Sequence, residues 1–225
     1  MVKFERPDSS EAHVAIESLK REKRKGSGKY NTNEVNIALG VMFAHKFYLC
    51  EKKDLDNLQI EHLVPHRGNR DLMFDWENLF LSCNHCNNIK NDKFTPILDC
   101  TKVAVDKKIA FRRHSEPFMP DKLEITALED DVETRNTVAL LNEVYYGSTA
   151  QKIEEAKIIR KQLSKELNAF EECVTDYNAA DGEDKKDLEL SIMMKLKWNA
   201  PFAAFKRWMI RDASDKFPEL LKYCQ

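Results

Sequence analysis

One stretch constrains this chain more than any other. From Gln59 to Phe94 it reads QIEHLVPHRGNRDLMFDWENLFLSCNHCNNIKNDKF, and it holds three of the six histidines and two of the six cysteines. Its periodicity changes twice. Leu58 to Ile60 alternates with polar neighbours over a strand-like length, Pro65 to Asn69 reads as a loop, and Leu79 to Leu81 is a second short strand. From Asn84 the pattern turns helical through Ile89 and fades near Phe94. Strand, long loop, strand and helix form a small frame that aims side chains from a strand end and a helix start at one point.

The residues at those places suit phosphodiester chemistry. Glu61 and His62 end the first strand, Asn78 opens the second, and Asn87 lies one turn into the helix. A carboxylate and an amide oxygen are hard ligands of the kind Mg²⁺ takes, the remaining positions being left to water. An imidazole beside them is suited to take a proton from an attacking water near neutral pH. Asn78 is placed to bond the long loop and hold His62 steady. Lys90 falls one turn beyond Asn87 on the same helix face, where it would meet a phosphate oxygen. Arg67, Arg70 and His66 are either ordinary loop residues or further grips on phosphate. Phe74, Trp76, Leu79 and Phe80 are expected in the core.

Taken together, Glu61-His62-x-x-Pro65, Asn78-Leu79 and Cys83-x-x-Cys86-Asn87-x-x-Lys90 resemble the HNH, or ββα-metal, endonuclease motif. The usual form has Asp where Glu61 stands and often His where Asn87 stands; both replacements keep a donor atom. The resemblance implies His62 as general base, Asn78 as its orienter, and Glu61 and Asn87 as ligands of Mg²⁺ or Mn²⁺. It also implies products ending in 5′-phosphate and 3′-hydroxyl. Many such proteins add a structural zinc on two Cys-x-x-Cys pairs. Here Cys83 and Cys86 supply one pair and Cys50 half of the other, but Phe47 stands where the fourth cysteine belongs. His45 or His85 would complete a Cys₃His site; otherwise zinc is absent or weakly held, which is the expectation adopted here.

The rest of the chain is organised around this unit. Residues 9 to 25 read as an amphipathic helix ended by Gly26 to Gly28, and Asn31 with Glu34 resembles a capping box opening a second helix. Short strands are expected near Lys108 to Arg112 and Leu123 to Thr126. Helices follow over about 132–146, 150–178, 183–197 and 201–212, with breaks at Gly147 and Gly182. The fold expected is α+β but mostly α, with a ββα core at 46–100 between N-terminal helices at 1–45 and a helical region at 101–225. In that last region Phe202, Phe205, Trp208 and Met209 are either internal core or a docking face for a partner.

Composition narrows the function further. The formal net charge of −2 argues against a molecule basic all over, yet Lys20, Arg21, Lys23, Arg24, Lys25 and Lys29 crowd one segment with only Glu22 against them. That cluster is either a solvated helix end or a patch that meets phosphates or an acidic partner. No apolar run reaches the length of about 18–20 residues that a bilayer span needs, and the first residues lack the apolar core of a signal peptide. A cytosolic protein without membrane association is expected. The segments FDWENLFLSCNHCNNIK and TRNTVALLNEVYYGSTAQK are similar to the PtuB family, the HNH subunits of Septu and retron-associated anti-phage systems. That resemblance implies DNA as substrate and a PtuA-like ATPase of the ABC/SMC type as partner. Two other classes compete: a scaffold of the same shape that binds nucleic acid or a partner without cutting, and a Cys83/Cys86 redox or metal sensor, which lacks the βαβ context such a pair normally has.

Overall fold

A computed structural model of the chain describes residues 1–53 and 58–225. Two helices lead. Helix α1 (Ser10–Lys23) starts where Ser9 accepts a hydrogen bond from the Ala12 N–H, satisfying a donor the first helical turn leaves open. Helix α2 (Asn33–Met42) packs along it. Its cap is Thr32, whose hydroxyl accepts from the Val35 N–H, one residue later than the expected Asn31. The turn between them is shaped by Gly28: a Cβ there would sit 1.9 Å from the Glu22 carbonyl oxygen, inside any van der Waals contact.

The ββα unit follows. Strand β1 (Leu58–His62) pairs antiparallel with β2 (Leu79–Cys83), in a register that sets Leu58 opposite Cys83, Glu61 opposite Phe80 and His62 opposite Leu79. Between them run a short helix α3 (Arg70–Met73) and a 3₁₀ turn over Trp76–Asn78. Helix α4 (Asn84–Lys90) leaves β2 directly and packs on both strands. Both strands extend a little beyond the apolar runs that announced them, and α4 ends at Lys90, short of Phe94 where the helical pattern fades. Every residue of β2 is buried, so this five-residue strand is covered on both faces. Phe74, Trp76, Leu79 and Phe80 lie in the core as expected, and truncating a ring such as Phe80 to alanine would cost about 3–5 kcal/mol.

Beyond this unit come a short helix α5 (Val105–Lys108), a hairpin of β3 (Ile109–His114) and β4 (Lys122–Ala127), then helices α6 (Val132–Tyr146), α7 (Ala150–Ala179), α8 (Gly182–Leu196) and α9 (Ala203–Asp212). A 3₁₀ segment over Pro218–Tyr223 closes the described chain. The chain is thus α+β and mostly helical. Gly147 ends α6 with a positive φ of 74°, and a Cβ on it would stand 2.5 Å from the Ile153 nitrogen.

Two apolar clusters hold these elements. The larger draws on α1, α2, β1, β2, α4, the β3–β4 hairpin, α6, the first half of α7 and the start of α9. The smaller joins the second half of α7 to α8, α9 and the 3₁₀ segment. Helix α7 serves both with one stripe: Ile159, Leu163 and Leu167 enter the first, and Phe170, Cys173 and Tyr177 the second. Phe202 and Phe205 are wholly inside, and the Trp208 indole N–H donates to the carbonyls of Asp106 and Ile109. Phe202 and Phe205 are therefore internal packing behind the hairpin, while Trp208 and Met209 are only partly buried.

Candidate active site

The end of β1 carries the first two site residues into a cleft of about 350 Å³. Glu61 and His62 both line it, although alternate residues of a strand point to opposite faces. Asn87 joins them from α4, with Asn91 and Asp92 just beyond. Pro65, His66 and Arg67 form the loop side, and Tyr30, from the segment joining α1 to α2, closes the remaining side.

His62 is nearly buried, and its ring is fixed. Its Nε2 lies 3.0 Å from the Met73 carbonyl oxygen. A carbonyl only accepts, so Nε2 carries the proton of the neutral ring and Nδ1 keeps the basic lone pair. The Tyr30 and His66 rings meet the imidazole edge to face, at centroid distances of 4.6 and 4.7 Å. Burial lowers the pKa of His62, and the neighbouring His66 and Lys90 add to the effect. It is therefore neutral at neutral pH, the form that accepts a proton.

Asn78 holds the backbone that carries this ring. Its side-chain oxygen accepts from the Val64 N–H at 2.8 Å, and its amide donates to the carbonyls of Val64 (2.9 Å) and Leu72 (3.0 Å). Its own carbonyl accepts from the Leu63 N–H. One buried amide thus ties the strand exit to the helical turn that supplies Met73.

Glu61 is 4% exposed, and neither of its oxygens has a hydrogen-bond partner. Burial raises its pKa to about 7; Lys90, with Tyr48 and Ser82, presses the value back down. Lys90 Nζ stands 2.9 Å from Glu61 Oε1 but spends its well-formed hydrogen bond on the His62 carbonyl at 2.8 Å. A buried carboxylate at a cleft wall whose nearest cation is shared with a carbonyl is only partly satisfied, and a further ligand would complete it. A divalent cation would do so, and the half-buried Asn87 amide on the same wall is a second hard donor. The residues present therefore fit a Mg²⁺-type ion that keeps most of its waters.

The loop cations and Lys90 divide between the cleft and other tasks. Arg67 and His66 line the cleft; Arg67 is exposed, with its guanidinium 3.7 Å from Asp92. His66 Nδ1 accepts from the Gly68 N–H, which leaves Nε2–H as a donor. Arg70 turns away, donating to the carbonyls of Lys23 and Lys25 at the end of α1 and covering the Phe74 ring. Lys90 is not a phosphate contact: it is wholly buried, and its ammonium is consumed by Glu61 and the His62 carbonyl. The i, i+3 spacing from Asn87 holds, but the long stem runs inward under β1. Tyr30 is a site residue that sequence reasoning missed, since nothing in the sequence links it to a histidine 32 positions later.

The cysteines form a separate group. The Sγ atoms of Cys50, Cys83 and Cys86 lie within 4.8 Å of one another, all buried. Hydrogen bonds from the Cys50 and Cys86 thiols hold the Cys83 pKa well below the usual thiol range, while the bond to Cys83 raises that of Cys50 and burial, with the neighbouring thiols, raises that of Cys86. Three converging soft donors suit a thiophilic cation such as zinc, but no fourth ligating histidine, cysteine or carboxylate joins them among the described residues. His45 is exposed and packs against Gly40 instead. His85 is held at both nitrogens, by Glu155 at 2.7 Å and the Val144 carbonyl at 2.8 Å. Phe47 is fully buried where the fourth cysteine would stand.

An antiparallel strand pair followed by a helix, with an acid–imidazole pair at the strand exit and a braced asparagine opposite, makes up a ββα unit. In agreement, a family model described as HNH endonuclease matches residues 49–93, so the chain carries an HNH domain. That domain supports a metal-dependent nuclease that engages DNA. Comparison with curated proteins and with solved structures yields no match. No helix among the described residues is long and apolar enough to cross a membrane.

Proposed function

We propose that this chain is an endonuclease that hydrolyses DNA phosphodiester bonds with Mg²⁺ or Mn²⁺. The observation that carries the proposal is the convergence of His62, Asn87 and an only partly satisfied Glu61 on one cleft. Glu61 and Asn87 would hold the cation, which when bound would polarise the phosphate and stabilise the oxygen that leaves. His62 takes a proton through Nδ1 from a water as that water's oxygen bonds to phosphorus. The bond from phosphorus to the 3′ oxygen breaks, and solvent returns a proton to that oxygen, leaving 5′-phosphate and 3′-hydroxyl ends. The Met73 carbonyl, which accepts from Nε2–H, stabilises the imidazolium formed when Nδ1 takes the proton, and Asn78 keeps that carbonyl in reach. His66 and Arg67 present donors to the phosphate from the loop.

The expected result is that His62→Ala lowers plasmid cleavage by about 10²–10⁴-fold, the usual contribution of a positioned base, with its unfolding curve unchanged. Undiminished cutting removes His62 from this role. On the similarity of two segments to the PtuB family, we assign the chain to an anti-phage complex with a PtuA-like ATPase; co-purification with an ATPase encoded beside it is the corresponding check. One observation favours a second reading, a DNA- or partner-binding scaffold that does not cut: the Lys90 ammonium already sits against Glu61. On that reading chelation leaves DNA binding intact and Mg²⁺ produces no binding heat.

A further inference from the structure

The basic cluster of α1 lies outside the matched HNH region, yet the fold brings it to the cleft. Arg70 donates to the carbonyls of both Lys23 and Lys25, and Lys23 Nζ lies 2.6 Å from Asp71. These contacts staple the end of α1 to the loop that carries His66 and Met73. A few residues on, Tyr30 reaches the His62 ring itself. The single acid of the segment is committed to the turn: Glu22 accepts the Lys29 backbone N–H and pairs with Lys25. Gly28, which no other residue could replace without striking the Glu22 carbonyl, makes that turn possible.

We infer that residues Lys20 to Lys29 form a track for the DNA backbone that runs from the cleft along the end of α1. The inference rests on the nuclease reading for its direction, since the track leads to His62. Arg24 and Lys29 are exposed and make no ion pair among the described residues. Lys20, Arg21 and Lys23 pair with Glu17, Glu34 and Asp71 at exposed positions. Such surface pairs are worth little and exchange readily for phosphate. The arrangement explains how a chain of net charge −2 meets a polyanion: six cations stand together on a segment stapled to the cleft where the scissile bond must arrive.

The test is the salt dependence of binding to a short labelled DNA duplex, measured in a His62→Ala background so that the DNA survives. Arg24→Gln, Lys25→Gln and Lys29→Gln together are expected to weaken binding and to make the slope of log K against log salt shallower by about 2–3, near 0.9 for each phosphate no longer neutralised. A control set, Lys157→Gln, Lys161→Gln and Lys186→Gln on α7 and α8, is expected to leave the slope as it was. A track variant with the parent slope overturns the inference and leaves the nuclease reading standing. DNA binding with the expected flattening of the slope, by a chain that cuts nothing when His62 is present, overturns the nuclease reading and leaves the track. A parent protein that does not bind the duplex overturns both.

Discussion

Two buried carboxylates ten residues apart illustrate how one local chemistry serves opposite ends. Glu51 and Glu61 are 1% and 4% exposed, and each has a buried lysine beside it, Lys46 in one case and Lys90 in the other. Glu51 is completed. It accepts from the Val2 N–H at 3.0 Å, from Lys46 at 3.2 Å and from the Ala204 N–H at 2.8 Å. Burial alone would raise its pKa, but Lys46, the amino group of Met1 and these donors carry it down to about 2. Glu61 has Lys90 beside it but, among the described residues, no backbone donor and no second cation, and burial carries it up to about 7. The difference lies in the donors gathered around each group, not in its depth. A completed carboxylate ties segments together; an incomplete one is held ready for a ligand.

The largest expected consequence is in stability. Glu51→Ala leaves Lys46 buried without its counter-charge and frees two backbone donors, and is expected to cost about 3–5 kcal/mol in urea unfolding. A cost under about 1 kcal/mol would mean that the knot around Glu51 is ornamental, and the contrast with Glu61 would fail.

The two groups also predict opposite responses to pH. The folded pKa of Glu51 is below the ordinary 4.5, so its contribution is present above 4.5 and lost as pH falls toward about 2. The folded pKa of Glu61 is above 4.5, so the folded state holds a proton the unfolded chain has released, and stability falls as pH rises from 4.5 through about 7. Each shift corresponds to about 3 kcal/mol at 1.36 kcal/mol per unit. Subtracting the unfolding profiles of Glu51→Gln and Glu61→Gln from that of the parent isolates the two slopes. Slopes of the same sign would break the comparison.

A smaller effect, in activity, sharpens it. Glu61→Gln mimics the protonated acid but also removes the counter-charge beside the buried Lys90, so its denaturation midpoint at pH 7.5 is expected to move less than that of Glu51→Ala. Its Mg²⁺-dependent cleavage is expected to fall by about 10²-fold, equivalent to removing about 2.7 kcal/mol of stabilisation. A loss of function that outweighs the change in stability is the pattern of a site kept for its ligand.

Much of this is legible in the sequence. Periodicity places β1, β2, α4 and the long C-terminal helices, because each buries a regular face. The acid–imidazole pair, Asn78 and Asn87 stand out because their spacings only make sense together. What escapes depends on contacts between distant positions. Glu51 looks like any charged residue until Val2 and Ala204 are brought to it. Tyr30 gains its place only when α1 is stapled to the loop by Arg70. Lys90 shows the limit of face assignments: a helix wheel gives the direction of the Cβ, while a long stem goes where a buried carboxylate and carbonyl draw it. The short helices over Arg70–Met73 and Val105–Lys108 have too few residues for a period to register.

Helix α7 has a final implication. At 1.5 Å per residue its 30 residues span about 45 Å, and the same apolar stripe engages both clusters. Insertion of a single residue between Leu167 and Phe170 would turn the outer half by about 100°, swinging Phe170, Cys173 and Tyr177 away from α8. The two halves are indexed like teeth on a common shaft. Lengthening there keeps the stripe in phase only in nearly whole numbers of turns, such as about seven or about eleven residues.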